Sequence, residues 1–215
     1  MSLVEELRRQ REGFLQKAPE EMKETMARAT EELINSGVAT GLKEGEKAPN
    51  FTLPNATGEN VTLYDELQNG PVVLTFYRGG WCPYCNLELR AYQRVLDQLK
   101  EAGAQLIAVS PQKPDQSLTT QEKNELSFHV LSDTKKEVIQ SYNLLFDFPT
   151  YLKDLYKDQL NLDLAKFNEE ENPWSLPVPA TFIIDQDGTI VKANVDPDYT
   201  NRLDPEEVVA FLTNR

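Results

Sequence analysis

Two cysteines separated by two residues are the side chains in this sequence best suited to redox chemistry. Cys82 and Cys85, in Cys82-Pro83-Tyr84-Cys85, are the only cysteines among 215 residues. A disulfide between them closes a very short loop, which makes it a poor structural staple. Such a pair can instead exchange electrons by thiol–disulfide exchange. We therefore predict a redox-active Cys82–Cys85 disulfide; inert buried cysteines, or a zinc site completed by ligands from another chain, are the alternatives.

The cysteine pair lies where a predicted buried strand turns into a predicted helix. The apolar, β-branched run 71–77 is typical of a central strand, and apolar positions after Cys85 recur at helical spacing until Gly103. A free thiol has a pKa of about 8.5, and the N–H groups at a helix N-terminus favour its anion. We expect Cys82 to be the exposed nucleophile and Cys85 its buried partner, with Pro83 suited to the first helical turn.

Composition excludes several other classes of function. The chain has 35 acidic and 22 basic residues and a net charge of -13, which argues against binding to nucleic acid or to an anionic membrane. A single histidine, His129, excludes a His-rich metal centre, and we predict neither a metal nor another cofactor. No apolar run has the length of a membrane span or a secretory signal, so the sequence predicts a cytoplasmic protein.

The sequence divides into a helical N-terminal extension, residues 1–40, and a main domain, residues 41–215, with an insertion at about 143–176. Residues 2–36 show helical periodicity that restarts at Pro19 and ends at Ser36-Gly37. The extension is expected to pack on the main domain or on a second copy of the chain, so a homodimer is one open alternative. The insertion is predicted to be partly helical.

Strands and helices alternate through the main domain and predict an α/β fold. Asp133 is the predicted N-cap of a helix over 134–142, and Asp204-Pro205 starts a C-terminal helix. His129 is expected to be a core or edge residue of a strand rather than a base. The remaining predicted strands form a hairpin of 51–53 with 61–63, a buried strand at 106–109, a strand at 128–131 and a hairpin of 180–184 with 190–191.

Several of these segments resemble known thiol proteins. Trp81-Cys-Pro-Tyr-Cys85 is similar to the W-C-x-x-C motif of the thioredoxin-like superfamily, and residues 45–53, 128–142 and 181–188 resemble its AhpC/TSA (peroxiredoxin-like) branch. The resemblance covers about residues 43–215. It implies a thioredoxin-like fold, a central mixed β-sheet flanked by helices, with an N-terminal helical extension. It also implies an antioxidant oxidoreductase that reduces peroxides and is recycled by thioredoxin or another thiol reductant.

The departures from the peroxiredoxin pattern suggest a second substrate class. Gly79 stands where peroxiredoxins have Thr or Ser, and Pro179 stands where they have a peroxide-binding Arg. Thioredoxin-like dithiol enzymes hold a cis-proline at that place. The resemblance thus implies that Pro179, with Pro177 as the competing candidate, is cis and lets the backbone of Val178 pair with a protein-disulfide substrate. A non-enzymatic redox sensor or binding module is the third alternative.

Residues around the cysteine pair complete the predicted site. Phe76 occupies the position of thioredoxin's buried acid, so proton transfer to Cys85 must involve water, Glu88 or Tyr84. Arg78 is either a thiolate-stabilising or anion-binding group or a solvated loop residue, and Arg202 reaches the site if the tail folds back. The predicted substrate-binding and supporting residues are Arg78, Gly79, Gly80, Trp81, Pro83, Tyr84, Val178 and Pro179.

Overall fold

The computed structural model describes residues 1–169 and 171–215. Its strands are β1 (Thr52–Pro54), β2 (Asn60–Thr62), β3 (Val72–Phe76), β4 (Gln105–Ser110), β5 (His129–Ser132), β6 (Leu145–Asp147), β7 (Ser175–Pro177), β8 (Ala180–Ile184) and β9 (Ile190–Val195). Its α-helices are α1 (Leu3–Lys17), α2 (Glu20–Ser36), α3 (Leu63–Glu66), α4 (Pro83–Glu101), α5 (Pro114–Lys123), α6 (Glu137–Ser141), α7 (Thr150–Asp158) and α8 (Pro205–Thr213). Within these ranges, no helix combines the length and apolar character needed to cross a membrane.

A five-stranded mixed sheet forms the centre of the protein. Its strand order is β5-β4-β3-β8-β9, with β3, β4 and β5 parallel and β8 antiparallel to both β3 and β9. Leu74 at the middle of β3 lies opposite Ile107 of β4 and Phe182 of β8. All five residues of β3 are buried, as expected for a strand covered on both faces. The predicted thioredoxin-like arrangement, a mixed sheet flanked by helices, is confirmed.

Successive side chains of β3 enter two different cores, because side chains alternate across a strand. Val73 faces a core in which Leu89 and Tyr92 of α4 pack with Leu3 of α1 and Val208 of α8. Val72, Leu74 and Phe76 face the opposite core, which contains residues of the β1–β2 hairpin and α6. Helix α4, which carries Cys85, is thus held against the sheet and also contacts α1 and α8.

Helix α2 of the N-terminal extension packs against the insertion. Helices α1 and α2 are interrupted at Ala18-Pro19, and α2 ends at Gly37 with a left-handed φ of 68°, as the sequence predicted. The insertion contains helix α7, a short 3-10 helix and the β6–β7 ladder, so the prediction of partial helix is confirmed. Met22 of α2 joins a cluster with insertion residues, among them Phe148, Tyr156 and Trp174.

Two predictions for the segment 110–142 were wrong or incomplete. Asp133 is not the N-cap of a helix over 134–142, because Lys136 has a left-handed φ of 62° and helix α6 begins only at Glu137. The Asp133 carboxylate instead accepts a hydrogen bond from the Ile139 N–H at 2.8 Å. Helix α5, which lies against β5, was not predicted. His129 is half-buried on the edge strand β5, consistent with the predicted strand position.

Candidate active site at the start of helix α4

Both cysteines lie at the N-terminus of α4, where the sequence predicted them. Cys82 is the N-cap residue, with φ of −87° and ψ of 117°, and Pro83 takes the first helical position. Both are free thiols, and Cys85 is fully buried. The expectation that Cys82 is exposed was wrong, since only 1% of its surface is accessible. Any reagent that reaches Cys82 must therefore enter the protein or wait for a segment to move.

A mainly apolar cavity of about 320 Å³ borders Cys82. The N-terminal extension and the insertion supply one part of the wall: Gln10, Phe14, Met26, Tyr156, Leu160 and Leu162. The loop before α4, the start of α4 and the C-terminal tail supply the rest: Arg78, Trp81, Pro83, Tyr84 and Tyr199. The cavity wall is thus built from the extension, the insertion, the start of α4 and the C-terminal tail.

Arg78 is a buried cation in this wall, and the alternative that it is a solvated loop residue was wrong. It is 2% exposed, and its Nη2 donates to the Tyr156 hydroxyl at 2.9 Å. Its guanidinium lies 4.2 Å from the ring centroid of Tyr199 and 5.0 Å from that of Trp81. Its Nε and Nη1 have no hydrogen-bond partner, and within the described ranges no carboxylate forms an ion pair with it. Two guanidinium donors are therefore available to an anion or a polar ligand atom.

The surroundings of the two thiols move their pKa values in opposite directions. Burial raises the pKa of Cys82, but the hydrogen bond with the Cys85 thiol and the charges of Arg78 and Arg202 lower it further, to about 6. Burial and the shared hydrogen bond with Cys82 raise the pKa of Cys85 well above the usual value. At neutral pH the pair therefore carries its negative charge on Cys82 and its proton on Cys85.

Cys85 lies beside a buried ion pair that the C-terminal tail completes. Arg202 folds back into the site, where its Nη2 donates to the Cys85 Sγ at 3.6 Å and its Nε donates to a Glu88 carboxylate oxygen at 2.8 Å. Both charged side chains are almost inaccessible to solvent. Arg202 also donates to the carbonyl oxygens of Tyr199 and Asn201, which fixes its orientation.

The Gly79-Gly80-Trp81 loop positions the nucleophile through its backbone. A Cβ on Gly79 would lie 2.2 Å from Trp81 Nε1, so the Thr or Ser of the peroxiredoxin pattern has no room here. The Gly80 N–H donates to Gln112 Oε1 at 2.9 Å, and the Gly80 carbonyl accepts from Asn86 Nδ2 at 2.8 Å. Sequence reasoning missed Gln112 and Asn86; the position of Asn86 directly after Cys85 was the only available signal.

The predicted disulfide-binding edge at Val178-Pro179 is arranged differently. No peptide bond among the described residues is cis, so the expectation of a cis-Pro179, and the competing one of a cis-Pro177, was wrong. Val178 is fully buried, and its N–H donates to the Leu144 carbonyl at 2.8 Å because the chain here continues from the β6–β7 ladder. Pro179 lines a small void next to Arg78.

The remaining candidates for proton transfer lie on different sides of the thiol pair. Tyr84 is buried, packs edge-on against Tyr199 at 5.6 Å and lines the cavity on the Cys82 side. Glu88 lies on the Cys85 side, because it accepts a hydrogen bond from Arg202, which also donates to the Cys85 Sγ.

Across residues 1–169 and 171–215, no group of three or more His, Cys, Asp or Glu side chains is arranged to hold a metal ion.

A mixed sheet whose central strand leads into a buried Cys-x-x-Cys at a helix N-terminus defines a thiol protein of the thioredoxin-like superfamily. The sequence model of the AhpC/TSA family matches residues 45–193, and the chain belongs to that family. The extension, residues 1–40, precedes the matched region.

Comparisons with individual proteins agree with this assignment. A putative peroxiredoxin of Mycobacterium tuberculosis is 29% identical over 164 residues, 76% of this chain and 92% of that protein. Peroxiredoxin Bcp of Escherichia coli is 34% identical over 103 residues, 48% of this chain and 65% of that protein. The thiol-disulfide oxidoreductase ResA of Halalkalibacterium halodurans is 28% identical over 155 residues, 71% of this chain and 68% of that protein.

Solved structures show the same fold. The crystal structure of peroxidoxin BcpB from Mycobacterium tuberculosis has a TM-score of 0.63 at 20% identity, covering 80% of this chain and 97% of that one. Reduced Prx3 from Vibrio vulnificus has a TM-score of 0.62 at 19% identity, covering 80% of this chain and 99% of that one.

Proposed function

We propose that the protein is a thiol peroxidase that reduces a small hydroperoxide at Cys82 and is recycled through a Cys82–Cys85 disulfide. The observation that carries the proposal is the placement of Cys82, buried beside an apolar cavity and next to a cation with free donors. Family membership supports a redox enzyme, and relatives named peroxiredoxin support the peroxide substrate.

The proposed cycle has three steps. The Cys82 thiolate attacks one peroxide oxygen, the O–O bond breaks, and the products are a Cys82 sulfenic acid and an alkoxide that takes up a proton. Cys85 then attacks the Cys82 sulfur, so that the disulfide forms and water leaves. A thioredoxin-like or other thiol reductant finally supplies two electrons and two protons. Such reductants keep thiols reduced in the cytoplasm, the location that the sequence predicted.

Arg78 has two tasks in this proposal. Its positive charge stabilises the Cys82 thiolate, which lowers the pKa of that thiol. Its free Nε and Nη1 donors are suited to a peroxide oxygen, on which negative charge develops as the O–O bond breaks. Pro179 occupies the place of the peroxiredoxin arginine, and it borders the same void as Arg78. Arg78 therefore replaces the missing arginine from a different position in the chain.

The surroundings of Cys82 disfavour a protein disulfide as the substrate. A folded partner must bring its disulfide into contact with the attacking sulfur, and Cys82 is 1% exposed beneath the extension and the insertion. The Val178 N–H, which a disulfide substrate would use, already donates to Leu144. The Cys-x-x-Cys motif and the similarity to ResA keep thiol–disulfide oxidoreduction as the second candidate.

The cavity lining favours a hydroperoxide with an apolar organic group. Aromatic and aliphatic side chains make up most of the wall, and the volume of about 320 Å³ greatly exceeds that of hydrogen peroxide. Burial of an organic group of a few carbons would contribute about 0.8 kcal/mol per CH₂ to binding. We therefore expect an organic hydroperoxide to react faster than hydrogen peroxide.

The test is to mix reduced protein with a stoichiometric amount of hydrogen peroxide or cumene hydroperoxide and to follow the Cys82–Cys85 disulfide by mass spectrometry. We expect rapid disulfide formation, and a Cys85→Ser variant that accumulates a sulfenic acid trapped by dimedone. Cys82→Ser is the matched control and should form neither product. Oxidation no faster than that of free cysteine would refute the peroxidase. If Cys85→Ser instead traps mixed disulfides with oxidised proteins, the second candidate replaces it.

A further inference from the structure

We propose that Glu88 takes the proton from Cys85 when the disulfide forms and returns it when the disulfide is reduced, with Arg202 holding the two groups side by side. The proposal rests on the proposed cycling of the Cys82–Cys85 pair. It does not depend on whether a peroxide or a disulfide oxidises Cys82, since Cys85 must lose a proton in either case.

The geometry of Arg202 carries the inference. The Nε–H and one Nη2–H of a guanidinium point in parallel from the same edge, so two acceptors on that edge are neighbours. Here Nε donates to Glu88 at 2.8 Å, and Nη2 donates to the Cys85 Sγ at 3.6 Å. One guanidinium thus binds both the carboxylate and the sulfur, and Cys85 and Glu88 are three positions apart on α4, where side chains are neighbours.

Few other groups can take the proton from Cys85. Among residues 1–169 and 171–215, Glu88 is the one carboxylate in an ion pair with Arg202, and both side chains are shielded from bulk water. Tyr84 lines the cavity on the Cys82 side, and burial raises its pKa to about 12. The titratable and charged groups that act on Cys85 or Glu88 come from α4, α7, the segment between β3 and α4, and the tail: Cys82, Tyr92, Tyr156, Tyr77, Arg78 and Arg202.

This arrangement accounts for the protons that move when the disulfide forms and when it is reduced. As the Cys85 sulfur forms a bond to the Cys82 sulfur, the S–H proton passes to Glu88, and the hydroxide that leaves Cys82 takes a proton from solvent and becomes water. Arg202 stabilises the developing Cys85 thiolate. During reduction the Cys85 sulfur leaves as a thiolate and takes back the proton from Glu88. The two protons of the reductant's thiols pass to solvent and replace those taken up by the alkoxide and the hydroxide. No additional oxidant or reductant is required beyond those of the catalytic cycle.

The acidity of Glu88 supports this role. Burial raises the pKa of its carboxyl group to about 7, although Arg202 partly opposes the shift. A group that must both accept and donate a proton works best when its pKa is close to the working pH. An ordinary exposed glutamate, with a pKa of about 4.3, would be a weak base toward a buried thiol.

The kinetic test separates the two chemical steps in a single turnover. Glu88→Gln keeps an oxygen for the Arg202 Nε–H but cannot take a proton, and we expect it to slow disulfide closure by about 10²-fold. Formation of the sulfenic acid should be unchanged, and Glu88→Asp should restore part of the closure rate. Glu101→Gln, at the exposed end of the same helix, is the matched control. Closure at the wild-type rate in Glu88→Gln, or equal slowing of both steps, would overturn the proposal.

A second measurement needs no substrate. In Cys82→Ser, the ultraviolet absorbance of the Cys85 thiolate reports the ionisation of that thiol, and Cys82→Ser/Glu88→Gln should shift this titration to lower pH, because the negative charge of Glu88 no longer opposes the thiolate. A Cys85 titration that is the same with and without Glu88 would refute the coupling even if the protein proves to be a peroxidase. Conversely, a coupled titration in a protein that does not react with peroxide would leave the proton transfer intact and refute only the proposed function.

Discussion

Cys82 and Cys85 lie one helical turn apart, yet each is paired with an arginine in a different electrostatic state. Arg78, next to Cys82, has no carboxylate partner among the described residues and keeps two free donors. Arg202, next to Cys85, is neutralised by Glu88 in a buried ion pair. Both arginines are buried and both thiols are inaccessible, so burial alone does not distinguish the two sides.

The difference lies in the hydrogen bond between the thiols and in the charges around them. Burial raises the pKa of Cys82, but the hydrogen bond with Cys85 and the charges of Arg78 and Arg202 outweigh it and lower that pKa to about 6. Burial, together with the hydrogen bond and the negative charge of Cys82, holds the pKa of Cys85 well above its usual value, and the two arginines oppose this only in part. The pair thus contains one thiolate that can attack the substrate and one protonated thiol that can resolve the intermediate, as a dithiol cycle requires.

Of the two arginines, removal of Arg202 should have the larger effect, and the quantity affected is the free energy of unfolding. Arg202→Met leaves Glu88 as an unpaired buried acid, and breaking such a pair typically costs about 3–5 kcal/mol of unfolding free energy. The loss should grow with pH. A carboxyl whose folded pKa is raised is most favourable to folding when protonated. Arg202 holds the pKa of Glu88 down to about 7, so its removal raises that pKa further, and the contribution to folding is lost as the pH rises above the unfolded value of about 4.3. Urea denaturation at about pH 5 and about pH 8 measures both quantities.

The control for this experiment removes the acid together with its partner. Glu88→Gln/Arg202→Met should recover most of the stability lost at high pH, because no carboxyl group remains to be buried unpaired. If Arg202→Met is equally unstable at both pH values, the pKa of Glu88 in the folded variant is not raised above its unfolded value.

Removal of Arg78 should affect the rate more than the stability. Arg78→Met leaves no carboxylate unpaired, but it removes a donor and a charge from the reacting atoms, so the reaction with hydroperoxide should slow by about 10²- to 10³-fold. The pKa of Cys82 should rise, so the acid side of the pH–rate profile should move from about 6 to higher pH. Stopped-flow fluorescence of Trp81, which contacts Arg78, provides the signal.

Arg94→Met is the matched control, because Arg94 lies on the exposed side of α4 and pairs with Glu6. Its rate and pH profile should equal those of the unchanged protein. An unchanged pH profile in Arg78→Met would show that the hydrogen bond with Cys85 and the charge of Arg202, rather than Arg78, lower the pKa of Cys82.

Local patterns in the sequence predicted the frame of the site. The apolar run before Trp81 and the helical spacing after Cys85 place the thiols at a strand-to-helix junction, because both signals depend on neighbouring residues. The mixed sheet followed from the resemblance of residues 45–53, 128–142 and 181–188 to one family. Asp133 misled the prediction, since the left-handed conformation of Lys136 delays the start of α6.

Long-range placement was beyond the reach of such patterns. Glu88 and Arg202 are 114 positions apart, and no periodicity links them. Phe14 of α1 and Met26 of α2 line the cavity beside Cys82, yet in the sequence they resemble the apolar residues of any packed helix. The Val178 N–H is used by Leu144, a residue of the insertion. Each of these contacts forms only when distant segments pack together.

The smallest predicted effect tests whether the N-terminal extension, through the cavity beside Cys82, influences which hydroperoxide reacts faster. Met26 lines the cavity, and its Sδ lies 3.9 Å from the Tyr199 hydroxyl. Met26→Ala should enlarge the cavity and shift the ratio of rates for cumene hydroperoxide and hydrogen peroxide by about tenfold, with closure of the disulfide at Cys85 unchanged.

Met22→Ala, one turn earlier on α2 and outside the cavity, controls for the loss of packing. Because Met26 precedes the residues 45–193 that match the family, a changed ratio in Met26→Ala alone would make the extension a part of the active site. An equal change in both variants would mean that the extension acts only through the stability of the fold.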